Sequence, residues 1–261
     1  MIVGFLGAGH ITHALAGGWS RAGLVDPPAL RFFDVDASKA AGLAAATGGY
    51  AARTAADLVL SSDTILVAVR PEQVEDVLTA VGPGLEGRTL VSVAAGVSLG
   101  RLVAALPAGS RVARVMPNVA AALGLGVFLL VPGTLGDRLD DVTALFAAAG
   151  DVIEVDEDLF DAATAVGGCM PGILARLVSA FAAAGEVQGL APDVAARVAI
   201  GGVHGAAAII AREGDPAAVA AAAATPGGMT AAAIQALDDA GMQRAVQSAV
   251  DAATARAKEL A

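Results

Sequence analysis

Near the start of the chain, Gly4-Phe5-Leu6-Gly7-Ala8-Gly9-His10-Ile11-Thr12 sets two glycines one residue apart, between an apolar run and a helical one. That spacing suits a pyrophosphate. Gly7 would form the tight turn, and Gly9 would let the backbone approach the phosphates at a helix N-terminus, where free amide donors collect. The candidate loop comprises Gly7, Ala8, Gly9, His10 and Ile11, with Thr12 where the dinucleotide fingerprint has a third glycine. An ordinary strand–helix turn could contain the same residues, so the loop needs an acid in the right place. Asp34 stands 25 residues beyond Gly9, at the end of the next apolar run. A carboxylate there accepts hydrogen bonds from the adenosine ribose and repels a 2′-phosphate. NAD(H) is therefore the expected cofactor and NADP(H) the alternative, with Asp36 a competing candidate for the acid.

Other chemistry finds little support. His10 and His13 are three apart, but no third ligand follows in sequence, so no metal site is expected. His10 is expected to line the cofactor loop, and His13 to face solvent or the adjoining domain. Cys169 has no histidine or basic residue between Glu157 and Arg176 to activate it as a nucleophile. His204 reads as a helix-packing residue. Only two lysines occur, Lys39 and Lys258, against fourteen arginines. Neither sits where dehydrogenases of this layout place a lysine acid or base.

These residues need a scaffold, and the chain describes one. Over the first 155 residues, apolar runs at 2–6, 30–33, 64–69, 89–94, 112–115, 126–131 and 152–155 alternate with helical stretches. Most of the runs are continuously apolar, as in strands buried on both faces of a parallel sheet. Beyond 155 the pattern turns helical, over 157–188, 192–212, 216–223, 230–239 and 243–260. The expectation is an α/β, Rossmann-type doubly wound sheet over 1–155, followed by an all-α domain over 156–261. The net charge of −10 argues against nucleic acid and anionic membranes as partners. Two uncharged stretches, 115–136 and 216–237, are interrupted by proline and glycine and do not read as membrane spans. One cysteine and an apolar start without a basic leader suggest a cytoplasmic protein.

Several segments in order resemble the 1-pyrroline-5-carboxylate reductase family. They are the opening glycine loop; Ala68-Val69-Arg70-Pro71, like the family's cofactor turn; the strand end through Ala94; Arg114-Val115-Met116-Pro117-Asn118; and above all Thr225-Pro226-Gly227-Gly228-Met229-Thr230. The resemblance implies NAD(P)H-dependent reduction of a cyclic imine to L-proline, with Ala68, Val69, Arg70, Pro71, Ala94 and Asn118 on the cofactor. It implies Thr230 as the catalytic hydrogen-bonding group beside the imine nitrogen, with Gly227 and Gly228 offering amides to a carboxylate. It further implies a homodimer through the C-terminal helices, extended in some members to a decamer. Such chemistry needs orientation more than a strong acid, because the imine readily takes a proton. On the residues alone, Thr230 could instead be a helix cap.

The departures gather at the substrate end. Family hydroxyls give way at Gly167, Cys169, Val119 and Met229, leaving Cys169, Met170, Pro171 and Met229 to line a more apolar pocket with Gly227, Gly228 and Thr230. A reductase of a different cyclic imine or ketimine, and a non-catalytic dinucleotide-binding relative, remain as alternative readings.

Overall fold

The first apolar run forms β1 (Val3–Leu6), with all four residues buried. The computed structural model describes residues 1–260. After β1 come α1 (His10–Ala22), β2 (Leu30–Phe33), α2 (Ala37–Thr47), β3 (Tyr50–Ala51), α3 (Ala55–Leu60), β4 (Thr64–Val67) and α4 (Val74–Val81). The sheet continues through β5 (Thr89–Ser92), α5 (Leu99–Ala104), β6 (Arg111–Pro117), β7 (Gly126–Val131), α6 (Leu139–Ala147) and β8 (Gly150–Glu154). Strand order is β3-β2-β1-β4-β5-β6-β7-β8. All neighbours are parallel except β6 and β7. The link between those two, residues 118–125, is shorter than the roughly dozen residues that a parallel crossover takes. The chain therefore turns back on itself there.

Continuous apolar runs are explained by two cores, one on each face of the sheet. Phe5 faces one with Trp19, Phe32, Phe128 and Phe146, while its neighbour Leu6 faces the other with Leu58, Ile65, Leu78 and Leu102. Aromatics are scarce, yet five of the nine join in one chain of rings. Phe5 lies 5.5 Å from Trp19 and 5.4 Å from Phe32, and Phe146 lies 5.8 Å from Trp19 and 5.1 Å from Phe128. This ring chain ties α1 and α6 to the sheet.

Beyond β8 the sequence pattern predicts one helix over 157–188. The structure divides it into a short turn, α7 (Phe160–Ala163), a wide π-turn (Thr164–Gly168) and α8 (Met170–Val187). Proline explains the division. A ring at Pro171 clashes with the carbonyl four residues back, Gly167, and offers no N–H in exchange. Helices α9 (Pro192–Glu213), α10 (Pro216–Ala223), α11 (Met229–Asp239) and α12 (Met242–Leu260) follow. Compact units form over Met1–Cys169, joined by the residues from Ala252 on, and over Met170–Asp251. In the second unit α8 and α9 pack through small residues: a Cβ on Gly185 would come within 3.2 Å of Leu190 and 3.4 Å of Ala195.

The first unit carries an ion pair whose arginine is buried and whose carboxylate is part-exposed. Arg114, on β6, has a side chain only 5% exposed and meets Glu157 Oε1 at 2.6 Å. Its guanidinium stacks 4.0 Å above the Phe160 ring. The same Glu157 oxygen accepts the Leu99 N–H at 2.9 Å, so one carboxylate joins β6, the start of α5 and the approach to α7. Removing Glu157 leaves the Arg114 guanidinium charged and dry, which costs more than the pair itself contributes. Glu157→Ala is expected to lower unfolding stability by about 3 kcal/mol in urea titration. A change below about 0.5 kcal/mol would show that water reaches Arg114 freely.

Candidate active site

The glycine loop leaves β1 and turns sharply at Gly7, whose φ of +108° favours glycine. Space adds a second reason: a Cβ there would lie 2.6 Å from the Ala68 carbonyl oxygen. Gly7 N–H donates to Phe33 O at 2.8 Å, so the loop is sewn to β2 while resting on the strand end of β4. Thr12 is fully buried, and its hydroxyl donates to Gly7 O at 2.7 Å. What sequence reasoning took as a bulkier third glycine is thus a lock on the turn. A hydroxyl five residues beyond Gly7 was the available signal.

Gly9 caps α1 without any side-chain acceptor, and no acid lies in the first turn. The early amides of α1 therefore face outward unsatisfied, at the positive end of the helix dipole. A Cβ on Gly9 would meet no protein atom within 4 Å. Its missing side chain serves the open side of the loop, as a cradle for a ligand backbone requires.

Of the two candidate acids, Asp34 is the one bonded to the glycine loop. Its Oδ2 accepts the Ala8 N–H at 2.8 Å, and its Oδ1 accepts the Asp36 N–H at 2.9 Å. Two backbone donors fix the carboxylate at the lip of the loop with lone pairs to spare. Asp36 is spent elsewhere. It caps α2 through the Ser38 hydroxyl at 2.6 Å and the Ser38 amide at 3.1 Å, and the hydroxyl chiefly holds its carboxyl below the ordinary value.

One cleft of about 710 Å³ collects Gly7, Ala8, Gly9, His10, Asp34, Ala68, Val69 and Arg70. It also draws in His13, Val35, Lys39 and Gln73, which sequence reasoning did not assign to the cofactor. Ile11, Pro71, Ala94 and Asn118 do not line this cleft. Ala94 is buried in the core, and Asn118 is 7% exposed with its amide engaged by neighbouring backbone. The cleft sits at the carboxyl ends of β1, β2 and β4, where strand order reverses, the place where doubly wound sheets bind ligands. A larger concavity, about 1090 Å³, lies at the opposite strand ends. Its arginines are already engaged, Arg88 with the Val59 and Leu60 carbonyls, Arg111 with Asp137 and Arg138 with Asp141.

In the second unit, the Thr225–Thr230 segment makes a turn in which Gly228 N–H donates to Thr225 O at 2.9 Å. Gly227 has φ +73°, and Gly228 is the N-cap of α11. Thr230 is therefore the second residue of the helix and not its cap. Its side chain is exposed, and Met229 beside it is 91% exposed. Cys169 follows the π-turn with its thiol exposed.

Comparison with known proteins places this geometry. Residues 157–260 match the family model described as pyrroline-5-carboxylate reductase dimerisation, and residues 2–96 match that described as NADP oxidoreductase, coenzyme F420-dependent. Pyrroline-5-carboxylate reductase of Methanosarcina acetivorans is 34% identical over 262 residues, covering 99% of this chain and 97% of the relative. The chain belongs to the pyrroline-5-carboxylate reductase family. The enzyme of that name from Mycobacterium leprae is 37% identical over 230 residues, or 78% of each chain. A solved pyrroline-5-carboxylate reductase from Coxiella burnetii superposes with a TM-score of 0.92 at 25% identity, covering 99% of this chain and 98% of that one. Membership makes the N-terminal unit a dinucleotide-binding domain and the chain an oxidoreductase.

The two glycines should fail differently. Gly7→Ala meets both strain and the Ala68 carbonyl, so unfolding stability should fall by about 2 kcal/mol or more, along with cofactor binding. Gly9→Ala should cost under about 1 kcal/mol of stability yet weaken NADH about tenfold by filling the cradle. Energy transfer from Trp19, the single tryptophan, to reduced nicotinamide reads the affinity. Equal loss of stability in both variants would contradict the assignment of Gly9 to the ligand.

Proposed function

We propose that the chain reduces the C=N bond of 1-pyrroline-5-carboxylate, giving L-proline, with a nicotinamide dinucleotide as reductant. The observation that carries this reading is the open, uncapped cradle of α1 with Asp34 at its lip, on a chain that matches family members from end to end. When bound, the reduced nicotinamide supplies hydride to the imine carbon. The α1 amides at Gly9, His10 and Ile11 hold the pyrophosphate, and Asp34 takes the adenosine ribose hydroxyls. Ala68, Val69 and Arg70 form the wall beside them, with Pro71 and Ala94 behind. Thr230 orients the imine nitrogen by a hydrogen bond, and the Gly227 and Gly228 amides receive the substrate carboxylate at the N-terminus of α11. Cys169, Met170, Pro171 and Met229 supply apolar and thioether surface. With the hydroxyls lost at Gly167, Cys169, Val119 and Met229, a less polar cyclic imine is the second reading for substrate.

The preferred cofactor is NADH. Two charges oppose this choice, Lys39 and Arg70, which line the same cleft and would attract a 2′-phosphate. Asp34 prevails because two backbone donors hold it in place, whereas both cations ride on flexible stems.

The proposed functional boundary lies near residue 155, and the match of the dimerisation model from residue 157 supports it. Length and composition alone would let 157–187 or α9 cross a membrane, and little of either is buried. Exposed Leu177, Phe181, Val187, Val198 and Ile200 are instead assigned to a second copy of this chain. The assembly is a homodimer through these helices, and a decamer would be five such dimers. A cytoplasmic setting suits the unpaired Cys169.

Mixing enzyme, pyrroline-5-carboxylate and either cofactor and following absorbance at 340 nm tests the activity. NADH should give the higher kcat/KM by about tenfold, and Asp34→Ser should reverse the order. Thr230→Ala should lower kcat/KM about tenfold or more with cofactor affinity unchanged. No absorbance loss with either cofactor would overturn the proposed substrate.

A further inference from the structure

The π-turn at Thr164–Gly168 leaves a backbone problem, and one distant side chain solves it. Its defining bond runs from Cys169 N–H to Thr164 O at 3.1 Å, five residues apart. Gly167 O would ordinarily accept from the residue four places on, but that residue is Pro171, which has no N–H. The donor comes from the residue just after β6 instead: Asn118 Nδ2 reaches Gly167 O at 3.3 Å. On its other side, Asn118 Oδ1 accepts the Ala120 N–H at 3.1 Å and the Val127 N–H at 3.4 Å. Two N–H groups require an oxygen and one carbonyl requires a donor, so a carboxamide is the side chain that satisfies all three. The group is buried, so each of these bonds would be costly to lose.

We infer that Asn118 is a positioning residue for the imine-reducing site. It clamps the Gly167 carbonyl and so fixes the widened turn that presents Gly167, Gly168 and Cys169. This rests on the proposed reading of that segment as substrate-facing, and it moves Asn118 from the cofactor to the substrate side of the chemistry. The clamp does not touch the reacting atoms. It sets where the turn must end and where α8 begins.

Asn118→Asp tests the clamp, because it keeps both acceptor contacts while turning the donor towards Gly167 into a second acceptor. Asn118→Ser, which is shorter, provides a second variant should the charge prevent folding. In each, Cys169, the single cysteine, reports the state of the turn through its rate of labelling by dithiobis(nitrobenzoate). Labelling should change about tenfold, the scale of one lost hydrogen bond. The Kd for NADH, read by energy transfer from Trp19, should stay within about twofold. Kinetics with pyrroline-5-carboxylate should show KM raised about tenfold and kcat changed less. Unchanged Cys169 labelling would overturn the clamp. A parallel rise in the NADH Kd would return Asn118 to the cofactor site. Labelling and Kd are measured without turnover, so a wrong substrate assignment would appear separately, as an inactive wild type with an intact clamp.

Discussion

The site hangs on one close approach, between the backbone at Gly7 and the carbonyl of Ala68. Any side chain at Gly7 would push the loop off β4, and with it the amides that follow. Around that contact the chain adds three ties: Gly7 to Phe33, Ala8 to Asp34 and Thr12 to Gly7. Two of these join the end of β2 to the turn and the third joins α1, so β1, β2, β4 and α1 share a single geometry. The positive end of α1 is aimed by this arrangement, and the ring chain through Phe5 and Trp19 holds the helix from behind. On the proposed reading, cofactor recognition follows from this backbone packing, with the Asp34 carboxylate built into the frame by two backbone donors.

How much of this could be read from the residues depends on the range of the interaction. The glycine loop, Asp34 and the βα alternation were legible because they are local patterns with periods of two or 3.6 residues. Helices such as 216–223 were bounded correctly by Asp215 and Pro216, since capping is local as well. Three features were not legible. β3 is only two residues long, too short to carry a period. β7 runs antiparallel because of its short link, whereas its composition matches a parallel strand. The break in the helix over 157–188 was written in Pro171, but its repair lies in Asn118, 49 residues before the Gly167 carbonyl it serves. The Arg114–Glu157 pair spans 43 residues and was invisible for the same reason.

At the end of the chain proposed to face substrate, the turn before α11 is built from backbone devices. Gly227 and Gly228 still open a helix, and Thr230 stands in its first turn. On the proposed reading, Val119, Cys169 and Met229 give this end apolar, thiol and thioether surface, which offers polar substrate atoms few hydrogen-bond partners. The scarcity of lysine fits the same chemistry, because reduction of an imine asks for orientation and a hydrogen bond more than for an acid with a tuned pKa.

The central claim is that hydride passes from the dinucleotide cradle to a C=N carbon. NADH carrying deuterium at the transferable C4 position, incubated with this protein and pyrroline-5-carboxylate, puts that claim to the test by mass spectrometry and NMR of the product. The account predicts proline with one deuterium on the ring carbon that was double-bonded to nitrogen. Recovery of unlabelled proline, or of intact labelled NADH beside unchanged imine, would contradict it.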